Sequence, residues 1–255
     1  MGTCRSRASD SSRRLGESRG EGVTRPVKVE VVDDDVAVAR EAARIVASES
    51  RLRVAECGRF VMAMSGGRTP WKMLRALADE VVPWSSVHVF QVDERIAPAG
   101  DPDRNLTLLQ ESLLSRVPLP PGQVHAMQVE DRDLYGAVVK YERTLARIAG
   151  EPPVLDLTQL GLGTDGHTAS LVPGDPVLDI TDRNVGLTAA YRGQGRMTLT
   201  LPMIGRSRMI LWVVTGAEKA TMLNRLLSSD ISIPAGRIAQ GRAVLIADRA
   251  AAGRT

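Results

Sequence analysis

The chain has few aromatic residues, few cysteines and no long apolar run. Aromatic side chains are 3% of its 255 residues, too few for the stacking surfaces that bind single-stranded nucleic acid. The two cysteines, Cys4 and Cys57, exclude a scaffold of several disulfides and are expected to be free thiols in a reducing compartment. No apolar run approaches the roughly 20 residues of a membrane-spanning helix, and the N-terminus lacks the apolar stretch of a secretory signal. We therefore expect a cytoplasmic protein that binds neither nucleic acid nor membrane.

The formal net charge of +3 is unevenly placed along the chain. Residues 1–25 hold six arginines and three acidic residues, which leaves 27 basic and 27 acidic side chains in 26–255. Because the first segment is rich in Arg and Ser and poor in large apolar residues, we predict that it is a disordered tail. The remainder is predicted to form one globular domain, and its neutrality is a second argument against a nucleic-acid binder.

From residue 27 onward, strand-like and helix-like segments alternate. Strands are predicted at 27–32, 60–64, 87–92, 154–160, 184–190, 209–214 and 243–248. Helices are predicted at 36–50, 69–81, 106–115, 133–148 and 217–227. This order predicts a three-layer α/β fold, Rossmann-like, in which a mostly parallel sheet is covered by helices on both faces. Ligands of such sheets bind beyond the carboxyl ends of the strands, so functional residues are expected directly after them.

The segment after the predicted strand 154–160 carries Asp165 and His167 among three glycines. The glycines allow a sharp turn, and Thr168 is expected to open a helix after it. A histidine titrates near neutral pH and can therefore accept a proton from water, while a carboxylate two residues away can orient the imidazole. This turn is the first candidate for a catalytic centre, and the alternative is that His167 only packs or caps a helix start.

The same glycines, Gly161, Gly163 and Gly166, have the spacing of a dinucleotide-binding fingerprint. A true fingerprint offers bare backbone N–H groups and a helix N-terminus to a pyrophosphate. Asp165 would set a carboxylate against that anion, so a dinucleotide cofactor is disfavoured. No Cys/His pair has metal-ligand spacing, and we predict no metal site.

Residues 65–70 have the composition of an anion-binding loop. Gly66 and Gly67 allow a phosphate to approach the backbone, and Thr69 is expected to cap the helix that follows. Lys219 lies in the first turn of the last predicted helix, where a cation opposes the helix dipole unless an anion also binds there. The alternative is that 65–70 is a plain strand-to-helix turn, but the position of Lys219 favours a ligand role and so a phosphate site.

Charged side chains follow other predicted strands. The triplet 93–95, Asp-Glu-Arg, is either a solvated loop or a cluster that faces the substrate, and Arg196 opens an alternating run over 196–202. His88, inside a predicted strand, is interpreted as a buried or edge histidine, and His125 has no partner in sequence, so neither is a catalytic candidate.

Together these motifs resemble the 6-phosphogluconolactonases, which share a superfamily with glucosamine-6-phosphate isomerase/deaminase. The resemblance covers about 27–251 and is carried by 64–70, 92–95 with Asn105, 160–174, 196–202 and 216–220. Thr-Ala-Ser-Leu at 168–171 with Pro-Gly at 173–174 resembles the lactonase branch, since the deaminases carry an Asn-Glu-Pro element after the same Asp-Gly-His. Two departures are Thr158-Gln159, within a usually apolar strand, and Arg104, where a small residue is common.

The resemblance implies that the domain at 26–255 hydrolyses 6-phospho-D-glucono-1,5-lactone to 6-phosphogluconate in the oxidative pentose phosphate pathway. It implies His167 as general base, Asp165 as its orienting partner, and Arg95, Arg196 or N–H groups of the glycine turn as stabilisers of the oxyanion. The implied substrate and phosphate ligands are Ser65, Gly66, Gly67, Arg68, Thr69, Asp93, Gly163, Gly166, Arg196 and Lys219. No cofactor is expected, because the lactone also hydrolyses spontaneously, and the chain is expected to be a monomer or a small homo-oligomer.

Two other functions stay open at this stage. A sugar-phosphate isomerase or deaminase of the same fold would be favoured by a ring of carboxylates near His167. A non-catalytic sugar-phosphate sensor would keep the phosphate loop, but such domains are usually fused to a DNA-binding helix-turn-helix, and the 25-residue tail is too short and too polar to form one.

Overall fold

The computed structural model describes residues 27–253, apart from the side chain of Arg68. The predicted tail over 1–25 and Cys4 lie outside the described residues. None of the helices in the described part is long and apolar enough to cross a membrane.

Ten strands in the described part of the chain form two sheets. The main sheet is parallel and contains β1 (Lys28–Val32), β2 (Phe60–Met64), β3 (Val87–Gln91), β5 (Val124–His125), β6 (Leu157–Leu160), β9 (Met209–Val214) and β10 (Ala243–Asp248). Its spatial order is β1-β10-β9-β6-β2-β3-β5. The smaller sheet is antiparallel, in the order β4-β8-β7, with β4 (Asp93–Arg95), β7 (Val185–Leu187) and β8 (Arg196–Leu199).

Helices cover both faces of the main sheet, which confirms the predicted α/β architecture. They are α1 (Asp35–Cys57), α2 (Arg68–Ala78), α3 (Asn105–Leu109, continued by a π-turn at Gln110–Leu114), α4 (Leu134–Ala149), α5 (Leu201–Gly205) and α6 (Ala220–Leu227). The core on one face joins α1, α2 and α3, and the core on the other joins α4 and α6. Along β2, Phe60 and Met62 enter the first core while Val61 and Ala63 enter the second. A strand buried on both faces is apolar throughout, as its sequence is.

Helix α1 shows how local sequence sets an element's bounds. Asp34 caps it by accepting the N–H of Ala37 at 2.8 Å, and Gly58 ends it in a left-handed conformation at φ 74°. The predicted helix stopped at Ser50, but the charged residues that follow are good helix formers and no stop residue occurs before Gly58.

Four other expectations were wrong. The segment 184–190 supplies β7 to the antiparallel sheet instead of a strand to the main one. The predicted strand 154–160 is ordered as a strand only at 157–160. No helix follows Thr168, because residues 168–171 close a tight bridged turn between Thr168 and Leu171. Cys57 is not a free thiol but is disulfide-bonded.

The order of the strands creates a crevice between β2 and β6. From β2 the chain moves outward through β3 to β5, and it then returns to the other side of β2 and continues through β6, β9 and β10. The connections that leave β2 and β6 therefore run in opposite directions. Such a switch point, at the carboxyl ends of parallel strands, is where open α/β sheets bind ligands.

Candidate active site

A cleft of about 670 Å³ opens at this switch point. Ten of the predicted site residues line it, namely Ser65, Gly66, Gly67, Thr69, Asp93, Arg95, Gly163, His167, Arg196 and Lys219. Asp165 lies behind His167 and does not line the cleft, and Gly166 is turned away so that its carbonyl accepts the N–H of Ala235 at 3.1 Å. Residues brought together from five segments of the sequence thus form one site.

The turn after β6 holds His167 against Asp165. Imidazole Nδ1 lies 2.5 Å from Asp165 Oδ1, and the same oxygen accepts the backbone N–H of His167 at 3.1 Å. The turn is closed by the N–H of Gly163, which donates to the carbonyl of His167 at 2.8 Å, and by the hydroxyl of Thr168, which donates to the carbonyl of Gly161 at 2.8 Å. Nδ1 is therefore engaged, and Nε2 is the ring nitrogen left for a ligand in the cleft.

Close packing in this turn explains one of its glycines. A Cβ on Gly163 would lie 2.1 Å from Nδ1 of His167 and 2.7 Å from Oδ1 of Asp165. The absence of a following helix also removes the positive helix end that a pyrophosphate would need here, which is a further argument against a dinucleotide site.

Tyr191 is a site residue that the sequence reasoning missed. Its hydroxyl donates to Oδ2 of Asp165 at 3.0 Å, and its ring packs edge-on to the imidazole of His167 with centroids 5.7 Å apart. Burial by itself raises the pKa of Asp165, but the hydrogen bonds from His167 and Tyr191 outweigh that effect and lower the pKa below its ordinary value. Tyr191 comes 26 positions after Asp165 and belongs to no motif, so only the fold reveals the contact.

The loop after β2 forms the opposite wall of the cleft. Gly67 precedes α2 with φ 115°, and no side chain caps the helix N-terminus. The prediction that Thr69 is the cap was wrong: it lies inside the first turn, and its hydroxyl bonds to that of Thr215 at 2.7 Å. A Cβ on Gly66 would lie 1.8 Å from Oδ1 of Asn105, so this backbone passes against the next loop. The first-turn N–H groups of an uncapped helix favour an anion.

Gln159 connects this loop to β6. Its side-chain carbonyl accepts the N–H of Ser65 at 3.1 Å, while its Nε2 has no hydrogen-bond partner among the described residues. Gln159 is fully buried. The departure from an apolar strand at this position therefore has a structural role, because Gln159 fixes the start of the loop after β2.

The triplet 93–95 is built into the site and is not a solvated loop. Asp93 is 3% exposed, and its carboxylate accepts the hydroxyl of Ser170 at 2.6 Å. Glu94 is fully buried, where it accepts the N–H groups of Asn105 and Leu106 at the start of α3 at 2.7 and 2.8 Å. Its charge is balanced by Arg104, which lies at 3.1 Å and is itself 2% exposed. Arg104 therefore forms a buried ion pair with Glu94, and the carboxylate of Glu94 holds the start of α3.

Two arginines bring positive charge to the cleft. Nη1 of Arg95 donates to the carbonyl of Asp103 at 2.6 Å and to Oδ1 of Asn105 at 2.7 Å, while Arg196 reaches the hydroxyl of Ser170 at 3.4 Å. The buried Nε of each has no partner within the described part of the chain. Burial, followed by repulsion from Arg95, lowers the pKa of Arg196. Two neighbouring guanidinium groups that line the cleft can bind an anionic group.

Lys219 lines the cleft but directly precedes α6, so it does not lie in the first turn of that helix as predicted. The helix predicted over 217–227 begins as a short 3₁₀ turn at Ala217–Lys219. Lys72 also lines the cleft, and it forms an ion pair with Asp35. The side chain of Arg68 is outside the described part of the structure.

The other two histidines lie away from the cleft, as interpreted from the sequence. His88 Nδ1 and His125 Nε2 are 3.1 Å apart, and the ring of His125 stacks on Phe90 with centroids 4.3 Å apart. Burial lowers the pKa of His88, and burial together with the charge of His88 lowers the pKa of His125 to about 4. Within residues 27–253, no three His, Cys, Asp or Glu side chains are grouped as metal ligands would be.

Comparison with known proteins gives consistent matches over the described domain. A family model described as glucosamine-6-phosphate isomerases/6-phosphogluconolactonase matches residues 33–247. The 6-phosphogluconolactonase of Nostoc sp. is 33% identical over 231 residues, which are 88% of this chain and 96% of that protein. The 6-phosphogluconolactonase of Mycobacterium tuberculosis is 35% identical over 236 residues, 87% of this chain and 95% of that one. The crystal structure of 6-phosphogluconolactonase from Thermotoga maritima superposes with a TM-score of 0.78 at 27% identity, covering 87% of this chain and 99% of that structure.

Proposed function

Because the chain belongs to the glucosamine-6-phosphate isomerase/6-phosphogluconolactonase family, we propose that it hydrolyses 6-phospho-D-glucono-1,5-lactone to 6-phosphogluconate with His167 as general base. The activity is that of a 6-phosphogluconolactonase, the name shared by curated relatives at 33% and 38% identity. The observation that carries the mechanism is the 2.5 Å contact between Nδ1 of His167 and Asp165, in a cleft that Arg95 and Arg196 also line.

Asp165 and His167 form a dyad, and this dyad supplies the general base. With the proton on Nδ1 donated to Asp165, Nε2 of His167 carries a lone pair and accepts a proton from water as that water attacks the lactone carbonyl carbon. The tetrahedral intermediate then collapses, and the bond from the carbonyl carbon to the ring oxygen breaks. The ring oxygen takes the proton back from Nε2 and becomes a hydroxyl. The new carboxylic acid ionises at neutral pH, so one water is consumed and His167 is regenerated.

Arginine side chains are the best candidates to stabilise the oxyanion of the intermediate. The N–H groups of Gly163 and Gly166 are used inside the turn, where they donate to the carbonyls of His167 and Gly163 at 2.8 and 3.1 Å. Arg95 and Arg196 both line the cleft into which His167 faces. A guanidinium in a partly desolvated cleft stabilises developing negative charge more strongly than it does in water.

The phosphate is assigned to the loop after β2. Its ligands are the backbone of Gly66 and Gly67, the uncapped first turn of α2 with Thr69 and Arg68, and the ammonium of Lys219 across the cleft. This arrangement separates the anion site from the dyad, since the dyad lies on the loop after β6 and the anion ligands lie on the loops after β2 and β9. The proposed steps use only these side chains and water, and we predict that no metal or organic cofactor is needed.

The isomerase or deaminase alternative finds little support in the geometry. Among the described residues, Asp165 is the carboxylate that bonds to His167, and Asp93 is held by Ser170 and Asn105. Other carboxylates line the cleft, namely Asp33, Asp34, Asp35, Glu218 and Asp248, but among the described residues none of them bonds to the imidazole. Cytoplasmic location and a monomeric or small homo-oligomeric state remain predictions.

A rapid assay of 6-phosphogluconolactone loss, corrected for the spontaneous rate, tests the proposal on the wild type and His167→Ala. We expect fast hydrolysis by the wild type and loss of most of it in the variant. Ammonia release from glucosamine-6-phosphate, measured in parallel, would identify a deaminase. Binding of 6-phosphogluconate without any turnover would identify a sensor, and wild-type turnover by His167→Ala would exclude the general-base role.

A further inference from the structure

Tyr191 lies near the tip of the hairpin that connects β7 and β8. Tyr191 and Gln194 face each other across the tip, where the two residues exchange backbone hydrogen bonds of 3.0 and 3.3 Å. Arg192 and Gly193 form the two-residue connection with φ 53° and 82°. Positive φ at both central residues is the geometry of the tight turns that close such hairpins. For Arg192, a residue other than glycine, this conformation is uncommon, and it places the turn directly after Tyr191.

The hydroxyl of Tyr191 completes the hydrogen bonding of the Asp165 carboxylate. Oδ1 accepts from the imidazole and the backbone of His167, and Oδ2 accepts from Tyr191 at 3.0 Å. A carboxylate held at both oxygens cannot rotate about its terminal bond without breaking a contact. The donated proton also withdraws negative charge from Asp165, which sets how strongly the carboxylate stabilises a protonated imidazole.

The ring of Tyr191 has a second set of contacts. The guanidinium carbons of Arg196 and Arg192 lie 5.2 and 5.3 Å from its centroid, within the range of cation–π attraction. The charged or titratable groups that face Tyr191 are therefore Asp165, His167, Arg192 and Arg196, with Arg95 and Asp93 beyond Arg196. One side chain thus contacts the base, its carboxylate and a cleft arginine.

We propose that Tyr191 is a positioning residue that fixes the Asp165–His167 dyad through its hydroxyl and seats Arg196 through its ring. This inference rests on the proposed function, because it assumes that His167 is the base. Tyr191 contacts no reacting atom in the proposed mechanism, so its removal should alter the base and the arginine without abolishing turnover. Loss of the hydroxyl leaves Asp165 more negative and His167 harder to deprotonate.

The test compares Tyr191→Phe, which removes only the hydroxyl, with Tyr191→Leu, which also removes the ring. Tyr135→Phe on α4 is the matched control, since Tyr135 is 73% exposed. For Tyr191→Phe we expect kcat to fall about tenfold, as for loss of one hydrogen bond to a charged group, with KM changed less than about twofold. The acid limb of the kcat/KM profile should move to higher pH. For Tyr191→Leu we expect KM to rise a further few-fold, roughly the effect of one cation–π contact.

An NMR titration of the imidazoles gives a readout that does not depend on turnover. The chain has three histidines, and His167→Ala assigns the one of interest. In Tyr191→Phe the titration midpoint of His167 should lie higher than in the wild type, while His88 and His125 are unchanged. Tyr135→Phe should match the wild type in both experiments.

The outcomes separate the two levels of inference. Unchanged kcat, pH profile and imidazole midpoint in Tyr191→Phe, together with an inactive His167→Ala, would overturn the role of Tyr191 and leave the general base intact. Full turnover by His167→Ala would instead overturn the proposed function, whatever Tyr191 does. A lower melting temperature of Tyr191→Phe with wild-type kinetics would show that the hydroxyl is only structural.

Discussion

The turn after β6 and the loop after β2 serve the same cleft but are built in opposite ways. The turn satisfies its own polar groups: Gly163 donates to His167, Thr168 donates to Gly161, and Asp165 accepts from His167. The loop leads into α2, whose N-terminus has no side-chain cap. A general base needs fixed geometry before the substrate arrives, whereas an anion site is completed by the anion. The comparison therefore predicts that the two regions fail separately when mutated.

The largest expected effect comes from His167→Ala. Removal of a general base typically lowers the rate by about 10²- to 10⁴-fold, and we expect a loss of kcat in that range. The affinity for 6-phosphogluconate, measured by calorimetry, should stay within about threefold, because the imidazole is not a phosphate ligand. A large loss of affinity for 6-phosphogluconate together with the loss of kcat would mean that His167 also contributes to the anion site.

A subtler disturbance of the turn is Gly163→Ala. The new Cβ would collide with Nδ1 of His167 at 2.1 Å and so displace the imidazole. A displacement of about 1 Å can cost roughly 100-fold in rate, so we expect kcat to fall 10- to 100-fold with little change in ligand affinity. Gly161→Ala is the control, because a Cβ there meets no atom within 4 Å. Equal kinetics for the two variants would contradict the tight packing of the dyad.

On the anion side, Lys219→Ala should act on binding rather than on chemistry. We expect affinity for 6-phosphogluconate to fall about tenfold, as for loss of one charged contact, and affinity for unphosphorylated gluconate to change little. The melting temperature of the free variant is measured alongside, so that a loss of affinity can be separated from a loss of fold. Calorimetry measures the affinity for both ligands, and a melting curve measures stability. Lys140→Ala is the control, because the side chain of Lys140 is exposed. Equal losses for both ligands would remove Lys219 from the phosphate site.

The smallest expected effect is that of Gln159→Leu, which cuts the connection between the two regions. It leaves the N–H of Ser65 without its acceptor but also removes the unpartnered Nε2, so stability should change by only about 1 kcal/mol in either direction. We expect KM to rise two- to fivefold, roughly the effect of one neutral hydrogen bond, with kcat nearly constant. The neighbouring Thr158→Val loses a bond to Ser207 instead and should leave KM unchanged. A drop in kcat for Gln159→Leu would show that the two loops are coupled.

The parts of the molecule that were predictable are those that depend on a short, continuous stretch of sequence. The apolar run of β2, the Asp34 cap of α1 and the Asp-Gly-His turn each carry their own pattern. Because parallel strands end at one edge, the pattern also indicates that residues after different strands meet. His167, Ser65 and Asp93 were placed in a common site for that reason.

The parts that were not predictable depend on long-range pairing. The strand at 185–187 has the composition of a sheet strand, but its partner is β8, and only the hairpin through Arg192 and Gly193 decides that. Thr168 was expected to start a helix, yet its hydroxyl is used by the carbonyl of Gly161 and the chain turns back. Tyr191 contacts Asp165 only because the fold brings that hairpin next to the turn after β6. No local motif could therefore have identified Tyr191 as a site residue.

The stacked pair of His88 and His125 gives the fold a proton linkage that is separate from catalysis. Burial holds the pKa of His125 at about 4, whereas in an unfolded chain the same group titrates near 6.5. As the pH falls from about 6.5 toward 4, the unfolded state takes up a proton that the folded state does not, so the free energy of unfolding decreases. Above about pH 6.5 both states are neutral at this position and the linkage vanishes. Protonation of His125, at the edge of the sheet formed by β3 and β5, is therefore one route by which acid destabilises the fold, on the far side of β2 from the turn that holds His167.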